Sequence, residues 1–262
     1  MFDSVLVGVD DGQGGRDAIA LTKVLAAPGA RVTLAHVYGR TAGGPGAAVT
    51  VPLELEQAER LLADALDDVP GPGETALICD TSVGRGLREL AEDRGTQLLV
   101  IGATHRHLLG RTLIGDDTAA ALKRAPCSVA VAPAGYANRP VQPSRIGVGY
   151  DGSPESEHAL AAGQQLANRY GSTVKALSVV PRLDAAPAKP RRERERFEGE
   201  VACGEPGPGL ARFSEEFDLL VIGARRRGPV SRLLSGSAAK YLARHTNCPL
   251  LALPQGGIAT AA

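Results

Sequence analysis

The segment from residue 98 to residue 133, LLVIGATHRHLLGRTLIGDDTAAALKRAPCSVAVAP, is written a second time with changes at 219–254, LLVIGARRRGPVSRLLSGSAAKYLARHTNCPLLALP. Gly102 and Gly115 have the same separation as Gly223 and Gly236, and Gly115 lies as far from Cys127 as Gly236 from Cys248. Each of these cysteines is followed six residues later by proline, Pro133 and Pro254. An internal repeat of this length constrains the fold before any residue is assigned, because both copies must close the same kind of core. With 262 residues, two ordinary domains each have enough chain to bury one.

The copies also begin alike. Ser4 to Asp10 (SVLVGVD) and Arg145 to Asp151 (RIGVGYD) are apolar runs that end in an acid, as expected of strands covered on both faces. An alanine-containing stretch follows each, with Ala18 and Ala159 eight residues beyond the matching Asp. Arg31–Val37 and Thr173–Val180 then read as second strands, so each copy opens with a βαβ unit and a parallel pair. Repeat one continues with an amphipathic helix over Pro52–Val69, a strand at Glu74–Asp80 and a helix at Arg85–Arg94. The second copy is shorter by about 20 residues where repeat one carries its second helix. In that place stands Pro181–Gly199, including the run RRERERFEGE, which reads as a loop or a frayed helical turn. The predicted architecture is α/β, two tandem open parallel sheets with helices on both faces. The predicted domains are 1–134 and 145–255, joined by a linker at 135–144.

Composition excludes several function classes. The 29 basic and 29 acidic residues balance, which gives no general attraction to nucleic acid or anionic membrane. Aromatic residues make up 3%, too few for base-stacking platforms. No apolar run approaches the roughly 20 residues of a membrane helix, and the chain is expected to be cytoplasmic. Four cysteines form no CxxC pair and no metal-ligand spacing, and Cys127 and Cys248 read as buried packing residues. There is no G-x-S-x-G, HExxH or GxxxxGK[ST] pattern and no GxGxxG placed after a first strand, so no dedicated catalysis is expected.

What remains is a strand, a glycine-containing loop and a helix start, present twice. Glycine permits close backbone approach to an anion, and a helix N-terminus points free N–H groups at it. Asp10 and Asp151, at the ends of the first strands, sit at the edge of the crevice that open α/β sheets use for ligands. The alternative duty for both is to cap the helix that follows.

The repeat, the first strand ending in Asp, the loop, and the pieces SGS, CPLLALP and APCSVAVAP together resemble the universal stress proteins, in the UspA-like form with two tandem domains. The resemblance covers residues 5–133 and 145–254. It implies five-stranded parallel sheets and a regulatory, stress-response role. It also implies last strands that pair antiparallel, here Ser128–Ala132 with Leu250–Leu253 within one chain, with a homodimer of two chains as a further step. Some members bind ATP through a loop G-x2-G-x9-G-(S/T), and others lack the loop and bind none.

Neither copy here keeps that loop whole. Repeat one has Gly102, His105, Gly115 and Asp116, with His for the second Gly and Asp for the Ser/Thr, so a site built on Asp10, Gly102 and Gly115 is doubtful. Asp116 beside a phosphate is repulsive, and it equally suits a helix N-terminus as a cap. Repeat two has Gly223, Arg226, Gly236 and Ser237. Its Arg226 either fills the phosphate position or clamps the phosphate. The expectation is therefore ATP, with magnesium, in the second domain through Asp151, Gly223, Arg226, Gly236 and Ser237. The alternative is a nucleotide-free interaction scaffold of the same fold.

Overall fold

A computed structural model describes residues 1–38, 47–103, 106–108, 111–113, 125–180, 199–224 and 237–254. The described residues divide into two compact units, one up to Pro140 and one from Val141. The first unit runs β1 (Phe2–Gly8), α1 (Gln13–Leu25), β2 (Ala26–Tyr38), α2 (Ala47–Leu66), β3 (Gly73–Cys79), α3 (Val83–Asp93) and β4 (Leu98–Gly102). A two-stranded hairpin of β5 (Arg106–Leu108) and β6 (Arg111–Leu113) follows, then β7 (Ser128–Ala132) and a single 3-10 turn at Tyr136–Asn138. The second unit has β8 (Arg145–Gly149), α4 (Pro154–Tyr170), β9 (Thr173–Val180), β10 (Glu200–Cys203), α5 (Pro206–Phe213), β11 (Leu219–Ala224), α6 (Ser237–His245) and β12 (Leu250–Pro254).

Within the first unit the strands lie in the order β3-β2-β1-β4-β7, and every pair is parallel. Within the second the order is β10-β9-β8-β11-β12, again all parallel. Both are the doubly wound α/β arrangement, in which the chain leaves the first strand in one direction and later returns to its other side. The central strands explain themselves: Val5, Leu6, Val7, Leu98, Leu99 and Val100 are at most 1% exposed. Burying each such side chain contributes about 1.5–3 kcal/mol. Only continuous β-branched and leucine runs can fill a sheet covered on both sides.

Successive residues of a strand face opposite sides of its sheet, and β4 shows which helix lies on which side. A Cβ placed on Gly8, the last residue of β1, would meet Leu87 of α3 at 2.9 Å and Ile101 of β4 at 3.3 Å. The next residue, Gly102, faces α1 instead, where its Cβ would fall 2.1 Å from the Gly14 carbonyl oxygen. Thus α1 and α3 cover opposite faces. The second unit repeats the arrangement with Gly149, Ile222 and Leu210 of α5 on one face, and Gly223 against Glu155 of α4 on the other.

Residues 135–144, read in sequence as a linker, begin and end in fixed structure. Tyr136 is buried, at 8% exposure. The buried Asp17 accepts the backbone N–H groups of Gly135 (2.8 Å) and Ala137 (2.7 Å). At the other end Asp218 accepts the N–H groups of Ser144 and Arg145, each at 2.9 Å. Residues Pro181–Glu198, expected as a loop or frayed turn, lie outside the described residues.

Cys127 and Cys248 are buried, whereas Cys79 and Cys203, the last residues of β3 and β10, are exposed. Burial pushes the Cys248 thiol up to about 12, which removes the thiolate that reacts. A native-state titration with a thiol reagent is therefore expected to modify Cys79 and Cys203 and leave Cys127 and Cys248 untouched until denaturant is added. Rapid reaction of Cys248→Ser at only one remaining fast site would contradict this assignment.

Candidate functional site

In open α/β sheets the edge that receives ligands is the C-terminal one, where the strand order reverses, and in each unit that places the candidate site between the first and fourth strands. Here three aspartates perform one local operation. Asp10 Oδ1 accepts the N–H of Gly12 at 3.1 Å, Asp80 Oδ1 that of Ser82 at 2.8 Å, and Asp151 Oδ1 that of Ser153 at 3.0 Å. Each is an Asx turn, in which a short carboxylate replaces a carbonyl and bends the chain from strand to helix. The sequences D-D-G, D-T-S and D-G-S share only the leading acid.

The turns then diverge. In the first unit Asp10 Oδ1 also accepts the Gly15 N–H at 2.8 Å and so caps α1 directly, because Gly12 at the N-cap has no side chain to offer. In the second unit Asp151 Oδ1 accepts the Ser153 hydroxyl at 2.5 Å, and Ser153 Oγ accepts the Ser156 N–H at 3.2 Å. Pro154 then starts α4, with Glu155 and Glu157 in its first turn, favourable at a helix N-terminus. Glu157 also accepts the Tyr150 hydroxyl. The Asp80 turn is closed by Arg85, whose Nε reaches Oδ2 at 2.9 Å and whose Nη2 reaches Oδ1 at 2.5 Å. That guanidinium first, and the Ser82 N–H after it, hold the Asp80 carboxyl down to about 2.

The described sequence-predicted residues are brought together in each unit by the first turn of the first helix. Gly14 lies between Asp10 and Gly102: a Cβ on Gly14 would stand 3.3 Å from Asp10 Oδ2. In the second unit Gly223 packs on Glu155, whose carbonyl carbon would be 2.5 Å from an added Cβ. Asp151 joins the same turn through Ser153. Ser237 is the first residue of α6. Since α6 connects the parallel strands β11 and β12, its N-terminus opens on the same edge as Asp151. Gly115, Asp116, His105, Arg226 and Gly236 lie outside the described residues.

Other residues of this edge were not singled out from sequence. His36 at the end of β2 donates from Nδ1 to the Val9 carbonyl at 2.8 Å, which leaves Nε2 as the acceptor in the neutral ring. Gln13 and Asp17 are bonded to each other on α1 at 2.9 Å. The hairpin β5–β6, with His107 opposite Thr112, stands where the sequence was read as loop. Among the described residues no group of three or more His, Cys, Asp or Glu side chains could hold a metal ion. No described helix is long and apolar enough to cross a membrane.

Comparison with known proteins agrees with a duplicated chain of this architecture. The sequence model of the universal stress protein family matches residues 1–133, 143–205 and 185–254. A universal stress protein of Mycolicibacterium smegmatis is 26% identical over 284 aligned positions, covering 94% of this chain and 95% of the relative. A universal stress protein of Mycobacterium tuberculosis is 28% identical over 183 positions, 61% of this chain and 62% of the relative. Among solved structures, a universal stress protein from Archaeoglobus fulgidus superposes with a TM-score of 0.73 at 16% identity, covering 97% of this chain and 99% of that one. These shared features define a tandem α/β protein. The chain belongs to the universal stress protein family, as a UspA-like tandem member with a stress-response role.

Two outcomes follow from the geometry. Gly102→Ala and Gly223→Ala drive a methyl group into helix backbone that cannot rotate away, and each should cost about 2 kcal/mol or more in urea unfolding. Gly95→Ala, with nothing within 4 Å of its Cβ but a φ of 59°, should cost about 1 kcal/mol. Asp80 has a depressed carboxyl, so its ionised form favours the fold above the ordinary value of about 4 and that contribution is lost as pH falls toward about 2. An NMR titration of the Asp80 carboxyl carbon should show a midpoint near 2, rising toward the ordinary range in Arg85→Ala. A wild-type midpoint already in that range would remove Arg85 as the cause.

Proposed function

We propose that this chain is a stress-response binding protein that takes an adenine nucleotide, ATP with magnesium, at the sheet edge of its second unit. The observation that carries the reading is the shared edge: Asp151 opens the turn after β8, Gly223 stands next to last in β11 without a side chain, and α6 begins at Ser237. A helix start and side-chain-free backbone on one edge suit a phosphate. Arg226 and Gly236 fall between Gly223 and Ser237 in the chain. They supply a guanidinium to clamp the phosphate and a further position without a side chain. The carboxylates of Asp151, Glu155 and Glu157 at α4 favour the nucleotide with magnesium bound, whose charge is lower. With no metal cluster among the described residues, magnesium would arrive on the phosphates. The role is binding rather than catalysis. In the first unit Asp10, Gly102 and Gly115 would make at most a weaker site, since Asp116 stands where a Ser or Thr would meet phosphate.

A second reading, a nucleotide-free scaffold, draws on the Asx turns. Asp80, at a different strand end, makes the same turn as Asp10 and Asp151, so capping alone accounts for an acid at each place. Titration calorimetry with ATP and magnesium, after a denatured sample has been assayed for carried-over nucleotide, separates the two. One equivalent is expected, abolished by Gly236→Asp and little changed by Gly115→Asp. Equal effects of the two substitutions would remove the assignment to the second unit. Absence of both binding and carried-over nucleotide would establish the scaffold.

A further inference from the structure

One buried titratable group has no part in either reading above. Asp17 lies on α1 with no exposed surface, and all its recorded partners are donors. Oδ1 accepts from Gln13 Nε2 at 2.9 Å and from the Ala137 N–H at 2.7 Å, while Oδ2 accepts the Gly135 N–H at 2.8 Å. The two backbone donors come from the turn that follows β7, where Gly135 has a φ of 78° and Tyr136 is buried. That turn begins the stretch of chain leading to the second unit. Gln13 in turn belongs to the first turn of α1, the turn that Asp10 Oδ1 holds through Gly12 and Gly15. Arg16 Nη2 donates to Gln13 Oε1 at 3.0 Å, which orients the Gln13 amide with its nitrogen toward Asp17.

The geometry points to the first turn of α1 as a relay, in which Asp10 at the crevice edge and Asp17 at the exit turn of the first unit are coupled through Gln13. A carboxylate without solvent contact cannot surrender its backbone donors by degrees, because each one lost leaves a buried charge short of a partner. The exit turn is therefore either latched on Asp17 or released with water entering. Whatever draws Asp10 away from Gly12 and Gly15 uncaps α1, frays the turn that carries Gln13, and removes one of the donors that holds Asp17 in its latched position. The device belongs to the first unit alone, since the residue at the corresponding position of α4 is His158. It rests on the first unit's own hydrogen bonds and not on nucleotide binding in the second.

Amide hydrogen exchange on the full chain tests it, with Val100 in the buried β4 reporting global opening. Asp17→Asn should speed exchange at Gly135 and Ala137 about tenfold relative to Val100. Asp10→Ala and Gln13→Ala, which touch neither amide, should each speed the same two positions about threefold or more. Adding either to Asp17→Asn should give no further gain, as expected of residues acting in series. Ser82→Ala, which removes the cap of α3, should leave both positions unchanged relative to Val100. Wild-type rates at Gly135 and Ala137 in both Asp10→Ala and Gln13→Ala would overturn the relay, as would an equal effect of Ser82→Ala. If Asp17→Asn does not fold, Asp10→Ala and the part-buried Gln13→Ala together decide.

Discussion

Contact between backbone and backbone, where the fourth strand ends against the first turn of the first helix, sets the geometry of both units. At Gly102 and Gly223 there is no room for even a methyl group, so helix and strand meet at a separation that only glycine allows. This contact fixes how far the helix start lies from the sheet edge. It thereby determines where the capping aspartate, the helix N-terminus and the following loop stand relative to one another. Glycine in this loop has two physical duties that sequence cannot separate, approach to an anion and approach to a neighbouring helix. The described glycines of the loop perform the second.

The same economy holds for the aspartates. A chain that turns from strand to helix leaves several N–H groups unpaired, and a carboxylate just beyond the strand satisfies one or two of them. Asp10, Asp80 and Asp151 do this with the same i to i+2 bond, although the helices that follow are capped differently. Because Gly12 has no side chain, Asp10 must reach the helix itself; because Ser153 has a hydroxyl, Asp151 needs only to orient it. A ligand at either edge would have to share or displace these bonds, which links affinity for it to the stability of the helix start.

Much of the architecture was legible because apolar runs, glycine positions and spacing recur together. Val5–Val7 and Leu98–Val100 read as strands covered on both faces, and burial agrees. The repeat then predicted that Ile146 and Val148 of β8, and Leu220 and Val221 of β11, would be buried in the same way, as they are. What sequence could not reveal were bonds between distant positions. Asp17 looked like one polar residue on an alanine-containing helix, and nothing near it in sequence announces a partner 118 residues away. The hairpin β5–β6 was hidden for another reason: three-residue strands carry too little alternation to stand out from a loop.

The two copies keep alike what holds the fold and differ in what faces the sheet edge. Gly8 and Gly149, Leu87 and Leu210, Ile101 and Ile222, Gly102 and Gly223 occupy matching places and make matching contacts. Around the first helix the correspondence stops. Gly14 and Arg16 of the first unit are matched by Glu155 and Glu157 of the second, which changes a turn without carboxylates into one that carries two. Val9 is matched by Tyr150, and Asp17 by His158. A sheet edge with backbone donors and no acid in its helix start presents a different field from one with two added carboxylates, even though the strands beneath are interchangeable. Duplication of the sheet therefore did not duplicate the chemistry at its edge. The first unit directs its extra carboxylate inward to hold its own chain, and the second places two acids in its helix start, with Glu157 accepting the Tyr150 hydroxyl.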